Sequence, residues 1–302
     1  MPQERGAYIH LFVLYLIWGS TFVAMRAAVM GDSGFGPFSV GASRLAVASL
    51  LLFGWAIIKK YSLRISRRDL WVSAISGITI WVAGNGLVMW AEQWVEAGYA
   101  ALVFSTLPVW TALIGAILNH KIPSIHLWCA FSLALIGMGV LCNSSISHNT
   151  TQLLKPTLVI LLGTMLWAMS THLQKKFPVS CTSFISSAYQ QFFGACGFFI
   201  ILLFNHEPWP HPTTQSWFAW TYLVIFGSII AYNSYLVVIR RFSATIAMTF
   251  AYVCPVLSVI FGALLLNESI GISKIIGMIL ILGAVFLIFK EQQASVGRPK
   301  PN

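Results

Sequence analysis

The sequence predicts an all-α integral membrane protein whose ten transmembrane helices form two inverted-topology five-helix repeats. Three observations predict it. Only 9% of the 302 residues are charged while 58% are hydrophobic, against roughly 25% charged in an ordinary soluble domain. The charges are clumped, leaving apolar runs near 20 residues long, enough to cross a hydrocarbon core of roughly 30 Å at 1.5 Å per residue. The second half of the chain also echoes the first.

Spans are expected, in order, at 7–29, 38–58, 70–92, 97–118, 125–142, 156–173, 181–204, 216–239, 243–266 and 271–289. The first is too long for the apolar core of a signal peptide and lacks a small-residue cleavage site, so it stays as a span. The third is interrupted at Gly84-Asn85-Gly86, and the fourth and ninth contain Pro108 and Pro255. Otherwise the runs are continuous, unlike the short alternating segments of an outer-membrane barrel. Connections are turn-like, as at Gly31-Asp32-Ser33-Gly34, Pro123-Ser124 and Pro208-Trp209-Pro210, and none is long enough to make a soluble domain. The polar tail, 290–302, reads as disordered and cytoplasmic.

The side holding the N-terminus collects Lys59, Lys60, Arg64, Arg67, Arg68, Lys121, Lys175, Lys176, Arg240, Arg241 and Lys290. The other side keeps Lys155 and Lys274 and gathers Asp32, Glu92, Glu96, Glu207 and Glu268. This asymmetry places both termini in the cytoplasm and the chain in the cell inner membrane. It also accounts for the net charge of +10 without a nucleic-acid partner, since no basic stripe follows one face. The five cysteines, Cys129, Cys142, Cys181, Cys196 and Cys254, are unpaired in spacing and read as small packing residues.

Trp18 lies 149 positions before Trp167, and Pro108 lies 147 before Pro255. An odd number of spans per repeat sends the second copy in from the opposite face. Two related halves can then form two related gates, as in many secondary transporters.

The chain resembles the EamA family of the drug/metabolite transporter superfamily. The resemblance rests on Ile17-Trp18-Gly19-Ser20-Thr21, the 37–44 start of the second span, Gly84-Asn85-Gly86 and Ala100-Ala101-Leu102 leading to Pro108. Pro255, Glu268, Gly277 and Gly283 extend it into the second half. It covers two repeats, 11–142 and 156–289. The resemblance implies ten helices around a central cavity, the fifth and tenth packed to one side, and export of small metabolites such as amino acids or their relatives. One departure is Lys121, which stands where the first repeat would match Glu268.

No catalytic constellation is found: there is no HExxH and no pair of intramembrane carboxylates, so an enzyme is not expected. No cofactor is implied. His206, Glu207 and His211 cannot converge on a metal because Pro208, Pro210 and Pro212 forbid the helix that would aim them, and they read as a solvated outer loop. Arg44 lies about 10 Å into the second span by helix rise, where arginine costs about 2.5–3.5 kcal/mol on insertion scales. It reads as an anion-attracting group in the outer half of the pathway, as half of a structural ion pair with Glu92, or as snorkelling to the outer headgroups. Arg26 reads as snorkelling to the headgroups. Asn85 and Asn233 occupy matching places and are expected to meet near the bilayer midplane on the pathway, with interhelical bonding as the alternative. Trp18, Ser20, Thr21, Tyr99, Trp167, Gln191, Tyr232 and Tyr252 are further candidates for the pathway wall, and Pro108 and Pro255 for kinks that gate it. The expected partners are a small-molecule solute and the bilayer, with room for a homodimer. A membrane-embedded enzyme or non-transporting scaffold is the competing reading.

Overall fold

Helices begin where the sequence supplies N-terminal caps. In the computed structural model, which describes residues 2–29, 34–95, 97–120, 123–141, 150–205, 207–266 and 271–296, the hydroxyl of Ser66 accepts from the Asp69 amide at 3.0 Å. That of Thr213 accepts from Ser216 at 3.2 Å, each satisfying an otherwise orphaned amide. Pro37 occupies a first helical turn, where its missing N–H costs nothing. Lys60 and His120 close two helices with positive φ of 56° and 50°.

The helical segments are α1 (Pro2–Val29), α2 (Pro37–Ile58), α3 (Arg67–Ala91), α4 (Ala97–Asn119), α5 (Ile125–Leu141), α6 (Thr150–Lys176), α7 (Ser183–Asn205), α8 (Thr214–Arg241), α9 (Phe250–Leu266) and α10 (Ile272–Val296). The one-turn helix Ala244–Ala247 leads into α9. Among the described residues there is no strand. Among the described residues, eight helices are long and apolar enough to cross a membrane, and Ile125–Val140 is a shorter apolar one. The helical membrane class is therefore met, with fewer crossings supported by length and composition than the ten expected. Large apolar side chains such as Phe204 and Phe218 are 78% and 74% exposed, a surface suited to lipid rather than water.

Packing is reciprocal between the halves. α1 lies against α8 and α9, while α6 lies against α3 and α4. α2 pairs with α7, and α5 with α10. The last pair has its own apolar core of Phe131, Ala134 and Met138 against Ile281, Ala284 and Ile288. Its helices approach closely at Gly137, where an added Cβ would lie 2.7 Å from the Leu280 Cβ.

Two nine-residue π-helical stretches, Ile78–Gly86 in α3 and Leu223–Ala231 in α8, start 145 positions apart. The expected interruption at Gly84-Asn85-Gly86 is thus a widened turn rather than a break, and it recurs in the second half. Such widenings concentrate at functional sites. The prolines differ from their expected equivalence. Pro108 follows a break at Ser105 and Thr106 and sits in a new first turn, whereas Pro255 lies inside continuous helix.

Candidate functional site

The repeat-related aromatic residues meet at the centre. Trp18 and Trp167 are edge-on at 5.4 Å, Phe104 and Phe250 lie 6.2 Å apart, and each phenyl ring also touches a tryptophan. They enclose a cavity of about 20 Å³ lined by Trp18, Thr21, Phe22, Met25, Arg44, Trp81, Asn85, Val88, Phe104, Trp167 and Phe250. That volume holds about one water molecule.

Both π-helical stretches serve this cavity. That of α3 supplies Trp81 and Asn85 to the wall. That of α8 supplies Ser228, whose hydroxyl accepts from Arg44 Nε at 2.6 Å, and the Gly227 carbonyl, which accepts from Trp18 Nε1 at 3.3 Å. Arg44 is 2% exposed; its Nη1 donates to Asn85 Oδ1 at 3.3 Å, and its guanidinium lies 5.1 Å from the Trp81 ring centroid. Gly227 makes room, since a Cβ there would sit 3.0 Å from Arg44 Nη2.

Other expectations are corrected. Arg44 and Glu92 do not pair: Glu92 lies just past the last turn of α3, and neither carboxylate oxygen has a hydrogen-bond partner among the described residues. Arg26 does not snorkel; its Nη1 donates to the carbonyls of Glu92 and Val95. Asn233 does not meet Asn85, and its Nδ2 donates to Ile229 O in its own helix at 2.7 Å. The reason is register: counted from the starts of the π-helical stretches, Asn85 is the eighth residue and its counterpart is Ile230.

The remaining candidates lie outside the cavity wall. Ser20 bonds the Ile17 carbonyl and the Tyr222 hydroxyl, and Tyr99 joins Thr157 of α6 at 2.7 Å. Gln191 Nε2 donates to Ser228 O at 3.1 Å, one step behind Arg44. Tyr232 donates to Gln190 and packs on Trp81, while Tyr252 belongs to the apolar cluster around α5 and α10. Pro108 and Pro255 are also absent from the lining. Lys121, Glu268, His206 and Cys142 fall outside the described residues, as does the side chain of Lys274. Of the tail expected to be disordered, 290–296 instead continues α10, and the rest lies outside the described residues.

Sequence reasoning missed Phe22, Met25, Trp81, Val88, Phe104 and Phe250, which look like ordinary membrane apolar residues until packed. It also missed two contacts that join the repeats. On the face that gathers acidic residues, Glu207 accepts from the amides of Phe38 and Ser39 at 3.0 and 2.9 Å, and from the Ser39 hydroxyl at 2.7 Å. His211 N donates to Gly34 O at 2.9 Å beside it, so this loop is docked rather than simply solvated. On the basic face, Asp69 accepts from the Ser180 amide at 3.1 Å and from the Ser180 hydroxyl. The serines sit in similar Pro-X-Ser stretches, Pro37-Phe38-Ser39 in the first turn of α2 and Pro178-Val179-Ser180 just before α7, out of register with the repeat. Each acid is also remote from its serine in sequence, so the repeat gave no direct signal for these contacts. A recess of about 270 Å³ lined by Gln174, Lys175, Phe177, Pro178, Val179, Ile239 and Arg240 adjoins the Asp69–Ser180 contact.

These features define a class: a many-span helical membrane protein, built from two related halves around an aromatic cavity containing one guanidinium. The family model of the EamA-like transporter family matches residues 5–142 and 154–290, and the chain belongs to that family. It is 28% identical over 281 residues to the uncharacterized inner membrane transporter YedA of Escherichia coli K12, covering 92% of this chain and 89% of that protein. It is 25% identical to an S-adenosylmethionine/S-adenosylhomocysteine transporter of Chlamydia muridarum, over 95% and 93% of the two chains. A solved crystal structure matches with a TM-score of 0.79 at 17% identity, over 96% of this chain and 99% of that one, a likeness of fold.

Proposed function

We propose that the protein exports a small metabolite across the bacterial inner membrane by alternating access, through ten crossings with both termini cytoplasmic. The observation that carries this reading is the pair of carboxylate–serine contacts, Glu207–Ser39 on one face and Asp69–Ser180 on the other. Each ties a serine at or just before one repeat's second helix to an acid from the opposite repeat. Two matched closures on opposite faces are what an inverted duplication needs for two gates. With both contacts made and a central cavity of only about 20 Å³, we read the conformation as an occluded intermediate. Export is the direction the family resemblance favours. The names of the Chlamydia relatives support a small metabolite as the cargo.

Hydrogen bonds to a charged group contribute about 1.5–3 kcal/mol each, enough to hold a gate yet within reach of the binding energy of a solute. The test is a bridging experiment in a background lacking native cysteines. Ser39→Cys with Glu207→Cys, joined by a short reducible bifunctional reagent, is expected to stop efflux of accumulated metabolites, and reduction to restore it. Undiminished efflux with the bridge in place would refute a moving gate at this face.

A further inference from the structure

The geometry points to an organic anion, a carboxylate carried on a flat apolar body, as the solute of the central cavity. This inference rests on the transport reading above and names the cargo class of the same site.

Arg44 carries the argument. Guanidinium is charged at any physiological pH, and here it is 2% exposed. Its partners are a serine hydroxyl, an asparagine carbonyl and the face of a tryptophan, all neutral. Among the described residues no carboxylate lines the cavity. Asp69 and Glu207 are engaged with serines at the two faces, and the charge beside Glu92 is that of Arg26. The centre of the bundle therefore holds a positive charge whose hydrogen bonds are partly met but whose charge is not balanced. Buried charges in membranes normally find a partner or face a wet pathway. The missing partner is supplied when the solute brings it.

The donors fit that role. Guanidinium has five N–H groups, of which Ser228 and Asn85 engage one each. The three that remain suit a carboxylate, whose two oxygens match the planar fork. The walls define the rest of the molecule. Trp18, Phe22, Trp81, Phe104, Trp167 and Phe250 present ring faces and edges, against which a planar apolar body packs. Aromatic walls alone would also suit a cation, but a second positive charge beside Arg44 is repelled at short range in a low dielectric. The sign of Arg44 decides between them. The recess on the basic face, with Lys175 and Arg240 in its lining, has the same polarity.

Three probes with one ring and different charges test this: 3-phenylpropionate, phenylalanine and phenethylamine. Binding to the purified full-length protein in lipid nanodiscs is read by quenching of the cavity tryptophans excited above the phenyl absorption band. The anion should bind at least tenfold more tightly than the amine, with the zwitterion between. Arg44→Gln should erase the ranking, and Arg44→Lys should keep its direction. Asn85→Asp, which gives Arg44 an internal counter-ion, should raise the melting temperature and abolish the preference for the anion. Should Arg44→Gln fail to fold, the wild-type ranking and Asn85→Asp still decide. A preference for the amine, equal binding of the three, binding of none, or an anion preference that survives Asn85→Asp each overturns the inference. None of these outcomes touches the transport reading, which the bridging experiment judges on metabolite efflux without the probes.

Discussion

A guanidinium inside a membrane bundle survives because hydrogen bonding and charge balance are separate requirements. Placing arginine at mid-membrane costs about 2.5–3.5 kcal/mol on insertion scales. Two bonds from a charged donor, at about 1.5–3 kcal/mol each, offset that cost, and Ser228 and Asn85 provide them. Charge balance is left to the solute. Close approach also matters at Gly36, where an added Cβ would lie 2.2 Å from Glu207 Oε2, the movable end of a flexible side chain. Gly36→Ala must expel the carboxylate from its seat at the start of α2, so it should reproduce the phenotype of Glu207→Gln. Both variants should insert at normal levels and shift a cavity cysteine toward labelling from the outer side. Normal occlusion in Gly36→Ala would mean that the carboxylate has another seat. Glycine thus acts here through close approach, not through an unusual φ.

At the scale of elements, the two π-helical stretches do what straight helices would not. Each residue of an α-helix advances about 100°, so a widened turn resets which side chains face inward. In α3 the reset points Trp81 and Asn85 at the cavity, and in α8 it brings Gly227 and Ser228 to Arg44. Deleting Ala83 should restore ordinary helical spacing in α3 and rotate the residues before and after it relative to one another. The protein should still insert, because apolar length is nearly unchanged, but solute binding and efflux should fall at least tenfold. Wild-type efflux after the deletion would show that the widened turn only accommodates packing. Gly77, at the entrance to the same stretch, would place a Cβ 2.2 Å from the Gln190 carbonyl oxygen, so Gly77→Val should destabilise the α3–α7 contact by about 1–3 kcal/mol through overpacking, seen as a lower melting temperature.

At the scale of the whole molecule, the reciprocal packing makes the two faces mechanically alike. α2–α7 and α5–α10 are pairs of equivalents, while α1 and α6 exchange roles against the opposite repeat. Asp69→Asn should bias the protein open toward the basic face, and Glu207→Gln toward the opposite one. The measurement is labelling of Thr21→Cys in the cavity wall by a membrane-impermeant thiol reagent. Right-side-out vesicles should label faster in Glu207→Gln, and inside-out vesicles faster in Asp69→Asn. Equal acceleration from both sides in either single variant would contradict independent gates.

Composition and spacing alone established that this chain is helical, membrane-embedded and built of two related halves. Those properties are one-dimensional. A bilayer demands apolar length, and composition and spacing record length and repetition directly. Tertiary structure decided which residues face each other: Arg44 with Ser228 and Asn85 instead of Glu92, Asn233 turned to its own backbone, and Glu207 and Asp69 seated on serines more than a hundred positions away. Such pairings depend on the azimuth of each helix. In a span that is apolar nearly all round, periodicity carries little azimuthal information. Two π-helical turns shift the azimuth again, because widening a turn changes backbone register while leaving the apolar pattern of the sequence intact.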